Sequence, residues 1–248
     1  MAKGEYVTFI DGDDYVAKDY LYSLYQPNEE MIIGGLTKVN LSGSVLGEIL
    51  PKNKGCKKIK EVTKSFYQEQ LTNGIYGFIA GKMIRRDVIE KKSLRFDERI
   101  RLAEDYDFFL KVYNEIRHVM FVENTGYYYV QETENSSLAV EDTKIDFFIQ
   151  IEIQDRTKNF LKKNQCFGSN EEKIYLKWIT GYVYTILLLN QNLKYVELKL
   201  MCKKLKTYVP IVSNEMQGVG RICIFCYKNE WNLFLYVLLK LHKLVRKL

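Results

Sequence analysis

The chain has 248 residues, of which 47% are hydrophobic and 27% charged, and its formal net charge is +6. These values exclude a disordered or low-complexity chain, and the length allows one large domain or one domain with a substantial appendage. The basic residues are scattered and no aromatic platform interleaves with them, so nucleic acid is not an expected partner.

In chain order, Tyr6 to Ile10 is a short apolar strand rich in β-formers, and an acidic turn follows it. Asp19 to Tyr25 has a helical pattern, and Met31 to Leu36 reads as the next strand. Lys52 to Lys60 is a basic, glycine-containing loop, and Val62 to Leu71 a helix. Gly77 to Ile84 is a second apolar segment, followed by a short helix over Asp87 to Lys92. Asp105 to Tyr113 is a stronger helix, with Phe108, Phe109 and Val112 on one side. Val119 to Val122 and Gly126 to Val130 read as late strands, and the pattern is helical from about Asp142 onward. Strands alternating with helices, then helices alone, predict an α/β sheet followed by an α-helical C-terminal region.

The five cysteines are Cys56, Cys166, Cys202, Cys223 and Cys226, an odd number that fits free thiols in a reducing cytoplasm. Cys223 and Cys226 have the C-x-x-C spacing, but no second pair supplies the other ligands of a structural zinc site, so apolar packing is the expectation. No stretch reaches the ~18 uninterrupted apolar residues of a spanning helix.

Asp11-Gly12-Asp13-Asp14 is the most informative segment. A buried strand delivers three carboxylates into four positions, and close like charges repel unless a cation neutralises them. Asp11 and Asp13 can point at one ion, and hard oxygen ligands suit Mg²⁺ or Mn²⁺. The plainer reading is a solvated turn in which Asp13 or Asp14 caps the next helix. Glu104 and Asp105 open the helix that follows. Acidic residues there complement the helix dipole, yet a general base for a hydroxyl must be a carboxylate or imidazole within hydrogen-bond reach. The two histidines, His118 and His242, sit in no comparable acidic setting, so Asp105 is the better base candidate. Glu104 points elsewhere on the helix and can orient the acceptor or a neighbouring loop.

Taken together, these segments resemble the family 2 glycosyltransferases with the A-type nucleotide-sugar fold. The resemblance runs from Ala2 through Asp14, resumes at Gly81-Lys82-Met83-Ile84-Arg85-Arg86, continues at Leu94-Arg95-Phe96-Asp97, and ends in Glu104-Asp105-Tyr106-Asp107-Phe108. Tyr127-Tyr128-Tyr129 and Asn135-Ser136-Ser137 are similar to that family's closing strand and following loop. The resemblance implies a partial Rossmann-like nucleotide-diphospho-sugar transferase sheet over residues 1–140, with a helical region over residues 141–248. It implies Asp13 as metal ligand with Asp11 beside it, both also contacting the nucleotide sugar, and Lys82 in donor binding. It implies Asp105 as catalytic base and Glu104 as its companion. The implied activity is inverting transfer of a sugar from a nucleotide-diphosphate sugar, a UDP-sugar by first choice, to a glycan or lipid-linked acceptor in surface polysaccharide synthesis. Two departures stand out. Tyr129-Val130-Gln131 lacks the arginine that many relatives carry after the tyrosines. Relatives also place an apolar strand and a base-binding loop before the metal motif, so the resemblance implies that roughly the first third is missing here. On that expectation the Tyr6–Ile10 strand presents an unpaired edge, and the chain alone binds sugar nucleotide weakly or not at all. A truncated remnant, or one half of a split enzyme, is the alternative.

Residues 231–248 form an amphipathic helix. Leu233, Phe234, Val237, Leu238, Leu241, Leu244 and Val245 share one arc, with Lys240, His242, Lys243, Arg246 and Lys247 opposite. Such a helix suits either an anionic membrane surface, placing the protein peripherally on the inner face of the cell membrane, or packing against the body with a basic face in water.

Overall fold

The computed structural model describes residues 2–131, 145–209, 212–213 and 216–245. The Asn135-Ser136-Ser137 loop and the last three residues of the amphipathic tail lie outside them. Two compact units emerge, Met1–Ile145 with Asn159–Cys166, and Asp146–Lys158 with Phe167–Leu248.

The first unit holds two mixed sheets. Strands β1 (Tyr6–Thr8), β3 (Met31–Ile33), β6 (Gly55–Lys58), β7 (Lys82–Arg85) and β8 (His118–Phe121) form one, in the order β1-β7-β3-β8-β6. Strands β2 (Tyr15–Val16), β4 (Leu36–Asn40), β5 (Val45–Ile49) and β9 (Tyr127–Gln131) form the other, in the order β2-β9-β4-β5. The central strand β3 is buried throughout, runs parallel to β8 and pairs antiparallel with β7. Continuous Met-Ile-Ile is the composition that a strand covered on both faces requires. β1 lies at an edge, paired with β7 through Tyr6–Arg85, Val7–Ile84 and Thr8–Met83.

The chain passes from the larger sheet to the smaller three times, over residues 9–14, at Gly34-Gly35 and over residues 122–126. The second passage corrects the expectation of one strand from Met31 to Leu36, because the chain leaves β3 and enters β4. The glycines there are a matter of space. A Cβ on Gly35 would lie 2.4 Å from the Ile49 carbonyl oxygen. Asn124 holds the third passage, accepting from the Gly35 and Gly126 amides and donating to Ser23 Oγ. Gly81 has φ +68°, and a Cβ there would stand 2.6 Å from the Gly35 carbonyl oxygen. Gly81→Ala is expected to cost about 1–3 kcal/mol from left-handed strain alone. A lower urea midpoint checks this, and an unchanged midpoint contradicts it.

Two further differences from the sequence reading concern β4–β5 and β6. The β4–β5 hairpin turns on Asn40, whose Oδ1 accepts from the Ser42 and Ser44 amides. The basic stretch from Lys52 to Lys60 is not simply a loop, since Gly55–Lys58 pairs antiparallel with β8 as the other edge strand.

Helices α1 (Tyr20–Leu24), α2 (Ile59–Val62), α3 (Phe66–Asn73), α4 (Arg86–Lys91) and α5 (Glu104–Glu115) also lie in this unit. The expected helix from Val62 to Leu71 is broken between α2 and α3. In α5 the residues Phe108, Phe109 and Val112 are all buried, as their spacing predicted. Phe66 anchors an aromatic cluster behind α5, with its ring 4.5 Å from Tyr76, 5.4 Å from Tyr113 and 5.2 Å from Phe160.

The second unit is helical, as expected. It contains most of α6 (Phe147–Lys163), then α7 (Ser169–Leu189), α8 (Tyr195–Tyr208), α9 (Gly218–Lys228) and α10 (Asn232–Val245). Its core includes Ile179, Val183, Leu198, Leu205, Leu235 and Leu239. Cys223 and Cys226 are buried in the same core as free thiols, where burial raises both thiol pKa values. Helix α10 packs through Leu235 and Leu239, residues outside the arc singled out from the sequence, and leaves Leu233, Phe234, Val237 and Leu241 of that arc exposed. Among the described residues, no helix is long and apolar enough to cross a membrane.

Candidate active site

β1 ends where Thr8 Oγ1 donates to the Lys82 carbonyl at 2.7 Å, and Phe9 packs edge-on against Phe96 and Phe108. The acidic turn begins at this fixed point. The Asp14 amide donates to the Asp11 carbonyl, closing the turn. Tyr127 then clamps it to β9. Its hydroxyl donates to Asp14 Oδ2 at 2.8 Å and accepts from the Asp11 amide at 3.1 Å. The Val130 amide donates to Asp14 Oδ1 at 2.8 Å. Asp14 is therefore the anchor of the turn. It does not cap the following helix, which begins only at Tyr20 with Asp19 before it.

Asp11 and Asp13 are left exposed on the outside of the anchored turn. The Asp11 carboxyl is raised above the usual range by partial burial, then by the charges of Asp14, Asp13 and Glu104. The charges that raise it are negative, a repulsion that a hard divalent cation would relieve. Among the described residues no three His, Cys, Asp or Glu side chains gather into a metal cluster. Two carboxylates are nevertheless enough for Mg²⁺, which usually completes its shell with water and substrate phosphates. The residues present thus fit such an ion through Asp11 and Asp13.

Helix α5 brings the second acidic pair to the same place. It starts after Ala103, whose φ of +63° turns the chain into the helix. Asp107 is buried on its inner side and pairs with Lys111 at 2.6 Å. Asp105 is raised to about 6 by burial first, then by Glu104 and Asp11, while Lys82 and a hydrogen bond from the Ile79 backbone pull it down. Asp11 is therefore an electrostatic neighbour of Glu104 and Asp105 although more than 90 residues separate it from them in sequence. A carboxyl poised near 6 can accept a proton from a bound hydroxyl close to neutral pH.

Lys82, which the resemblance implies in donor binding, lies inside the fold. Its side chain is fully buried, donates to the Phe78 carbonyl and lies 4.7 Å from the centre of the Phe109 ring. Burial lowers its pKa to about 7, and Asp105 opposes that shift. Lys82 and Asp105 thus interact electrostatically inside the fold.

Tyr127 and Tyr129 are the site residues whose roles the sequence did not disclose. Strand alternation places them on one face of β9, and Tyr129 is raised by burial and then by Asp14, Asp13 and Asp11. The period of the strand was the available signal. Tyr128 faces the other way and stacks on Tyr15 at 4.7 Å.

No family model matches the chain. Individual relatives do. A glycosyltransferase of Methanocaldococcus jannaschii is 22% identical over 193 residues, covering 75% of this chain and 62% of the relative. The glycosyltransferase EpsJ of Bacillus subtilis is 30% identical over 139 residues, covering 54% and 40%. The poly(ribitol-phosphate) beta-glucosyltransferase of Bacillus spizizenii is 26% identical over 147 residues, covering 56% and 21%. A crystal structure of Staphylococcus aureus TarS residues 1–349 has a TM-score of 0.49 at 14% identity, over 98% of this chain and 67% of that one. By sequence, the chain is a homologue of glycosyltransferases, and it spans from about a fifth to just over three fifths of the length of these curated relatives.

Proposed function

We propose that this protein works in the transfer of a sugar from a nucleotide-diphosphate sugar to an acceptor hydroxyl during cell-surface polymer synthesis. The carrying observation is the convergence of Asp11 and Asp13 with Glu104 and Asp105, in which Asp105 is raised to about 6. The sequence relatives support the class of reaction, and two of their printed names specify poly(ribitol-phosphate) as the polymer modified. Two relatives are named as a glucosyltransferase and an N-acetylglucosaminyltransferase, so UDP-linked forms of those sugars are the first donors to try.

In this reading Asp105 removes the proton of the acceptor hydroxyl as its oxygen attacks the anomeric carbon, and Glu104 orients the acceptor. A single displacement inverts that carbon. The charged form of Lys82 favours the Asp105 carboxylate, and Tyr127 fixes the turn through Asp14. Asp11 and Asp13 would hold Mg²⁺ or Mn²⁺, which neutralises diphosphate charge and stabilises the leaving group when bound. Aligning the two substrates supplies much of the remaining rate gain. The acceptor is a glycan or lipid-linked polymer, and residues 231–248 make peripheral contact with the inner face of the cell membrane.

The test is UDP release from a panel of UDP-sugars with Mn²⁺ and poly(ribitol phosphate) or glycan acceptors, with the product anomer read by NMR. Acceptor-dependent release with inversion is expected, and it would set aside the expectation that this chain alone binds sugar nucleotide weakly or not at all. Product that retains the donor's anomeric configuration, or no release by a folded protein across the panel, would overturn the proposal.

A further inference from the structure

The charge of this protein is divided unevenly. The helical unit carries 15 Lys/Arg against 8 Asp/Glu, a net of +7, whereas the sheet unit carries 22 against 23. The helical unit also holds an apolar surface that its own core does not use. On α10, Leu233, Phe234, Val237 and Leu241 follow the spacing of a single helix face, and all are exposed. The face extends beyond that helix. Trp231 meets Phe225 of α9 edge-on at 5.4 Å, and both rings are about half exposed. Ile222, one turn earlier on α9, is exposed as well. One groove runs between Tyr195 and Lys199 of α8 and Trp231, Phe234 and Val237. A second is lined by Arg221, Ile222, Phe225 and Lys228.

Positive groups rim this apolar surface. Lys199, Arg221 and Lys228 line its two grooves and are exposed. The acid at its border, Glu230, is paired with Lys206 at 2.8 Å. Meanwhile Leu235 and Leu239 hold α10 to the core from the other side, so the exposed face does not have to leave the fold to be used. A Trp, two Phe and aliphatic side chains in a basic surround match the interfacial layer of an anionic bilayer, where apolar groups enter the headgroup boundary and cations meet lipid phosphates. A second copy of the chain would bring the same basic rim against itself, which like-charge repulsion disfavours.

We infer that α9, Trp231 and α10 together form a preformed docking face for an anionic lipid surface. Phe225, Trp231, Phe234 and Val237 insert, while Lys199, Arg221 and Lys228 contact the headgroups. The face rests on the membrane contact proposed for residues 231–248, and its test reads neither donor binding nor sugar transfer.

The experiment is co-sedimentation of the full chain with phosphatidylcholine vesicles, with and without phosphatidylglycerol. Binding to the anionic vesicles is expected, weakened by added salt and at least tenfold weaker in the double variant Phe234→Glu, Val237→Glu. These side chains are 55% and 47% exposed, so the variant keeps its fold, which circular dichroism verifies. The charge-reversal pair Lys199→Glu, Arg221→Glu should reduce the preference for anionic over neutral vesicles. Absence of binding, binding unchanged in both double variants, or a Phe234-dependent dimer in analytical ultracentrifugation would each overturn the inference.

Discussion

Replacing Asp105 with Asn is expected to abolish sugar transfer while making the protein more stable. Loss of a positioned general base lowers the rate by about 10²–10⁴-fold, so kcat should fall while donor affinity is retained. The stability effect has a definite sign. The folded carboxyl titrates at about 6 against an ordinary 3.8. Its contribution is therefore complete below the unfolded value and is lost as pH rises through the folded one. At about pH 8 the ionised, partly buried Asp105 costs on the order of 1–3 kcal/mol, which Asn removes. Urea unfolding should show the variant more stable near neutral pH and above, with the advantage vanishing in acid. Wild-type kcat/KM should rise with pH as Asp105 ionises and then level off. Retained turnover in Asp105→Asn would remove this residue as base. An equal loss of stability at every pH would mean that it has only a structural role.

Phe66→Ala is the largest expected change in stability. Phe66 is fully buried and touches Tyr76, Tyr106, Tyr113 and Phe160. Deleting such a ring costs about 3–5 kcal/mol through lost transfer energy and the cavity left behind. Two of its partners, Tyr106 and Tyr113, belong to α5, the helix that carries Glu104 and Asp105. The loss should therefore reach the chemistry as well, lowering kcat beyond what the folded fraction explains. A urea midpoint within error of wild type would show that the aromatic cluster does not support α5.

The sequence was most informative where composition and position agree. Met31-Ile32-Ile33 reads as an apolar strand and is one, buried throughout, and the spacing of Phe108, Phe109 and Val112 marks the buried side of α5. It was least informative where the chain changes sheets. Gly34-Gly35 reads as part of one apolar run, and only the crowding against Ile49 and Asn124 shows that β3 ends there. Gly55–Lys58 carries a glycine and two lysines in four residues, and becomes a strand because β8 offers an edge, a tertiary effect that local propensity does not encode.

The site divides in the same way. Asp11, Asp13, Glu104 and Asp105 stood out in the sequence because clustered carboxylates need a chemical reason, and the fold brings Asp11 near enough to act on Asp105. The burial of Lys82 was not legible, since burial is a property of the packed helix and strand. Asp14 and Asp13 are adjacent and alike in sequence, yet one anchors the turn and the other stays open. The Tyr127 hydroxyl makes that distinction from 113 positions away.

The central claim is that the two acidic segments form one electrostatic site. Carboxyl ¹³C NMR titration of Asp105, in chelator and compared between wild type and Asp11→Asn, tests it most directly. The account predicts a midpoint of about 6 in the wild type and a clear fall when the Asp11 charge is removed. An ordinary aspartate midpoint, indifferent to Asp11, would contradict it.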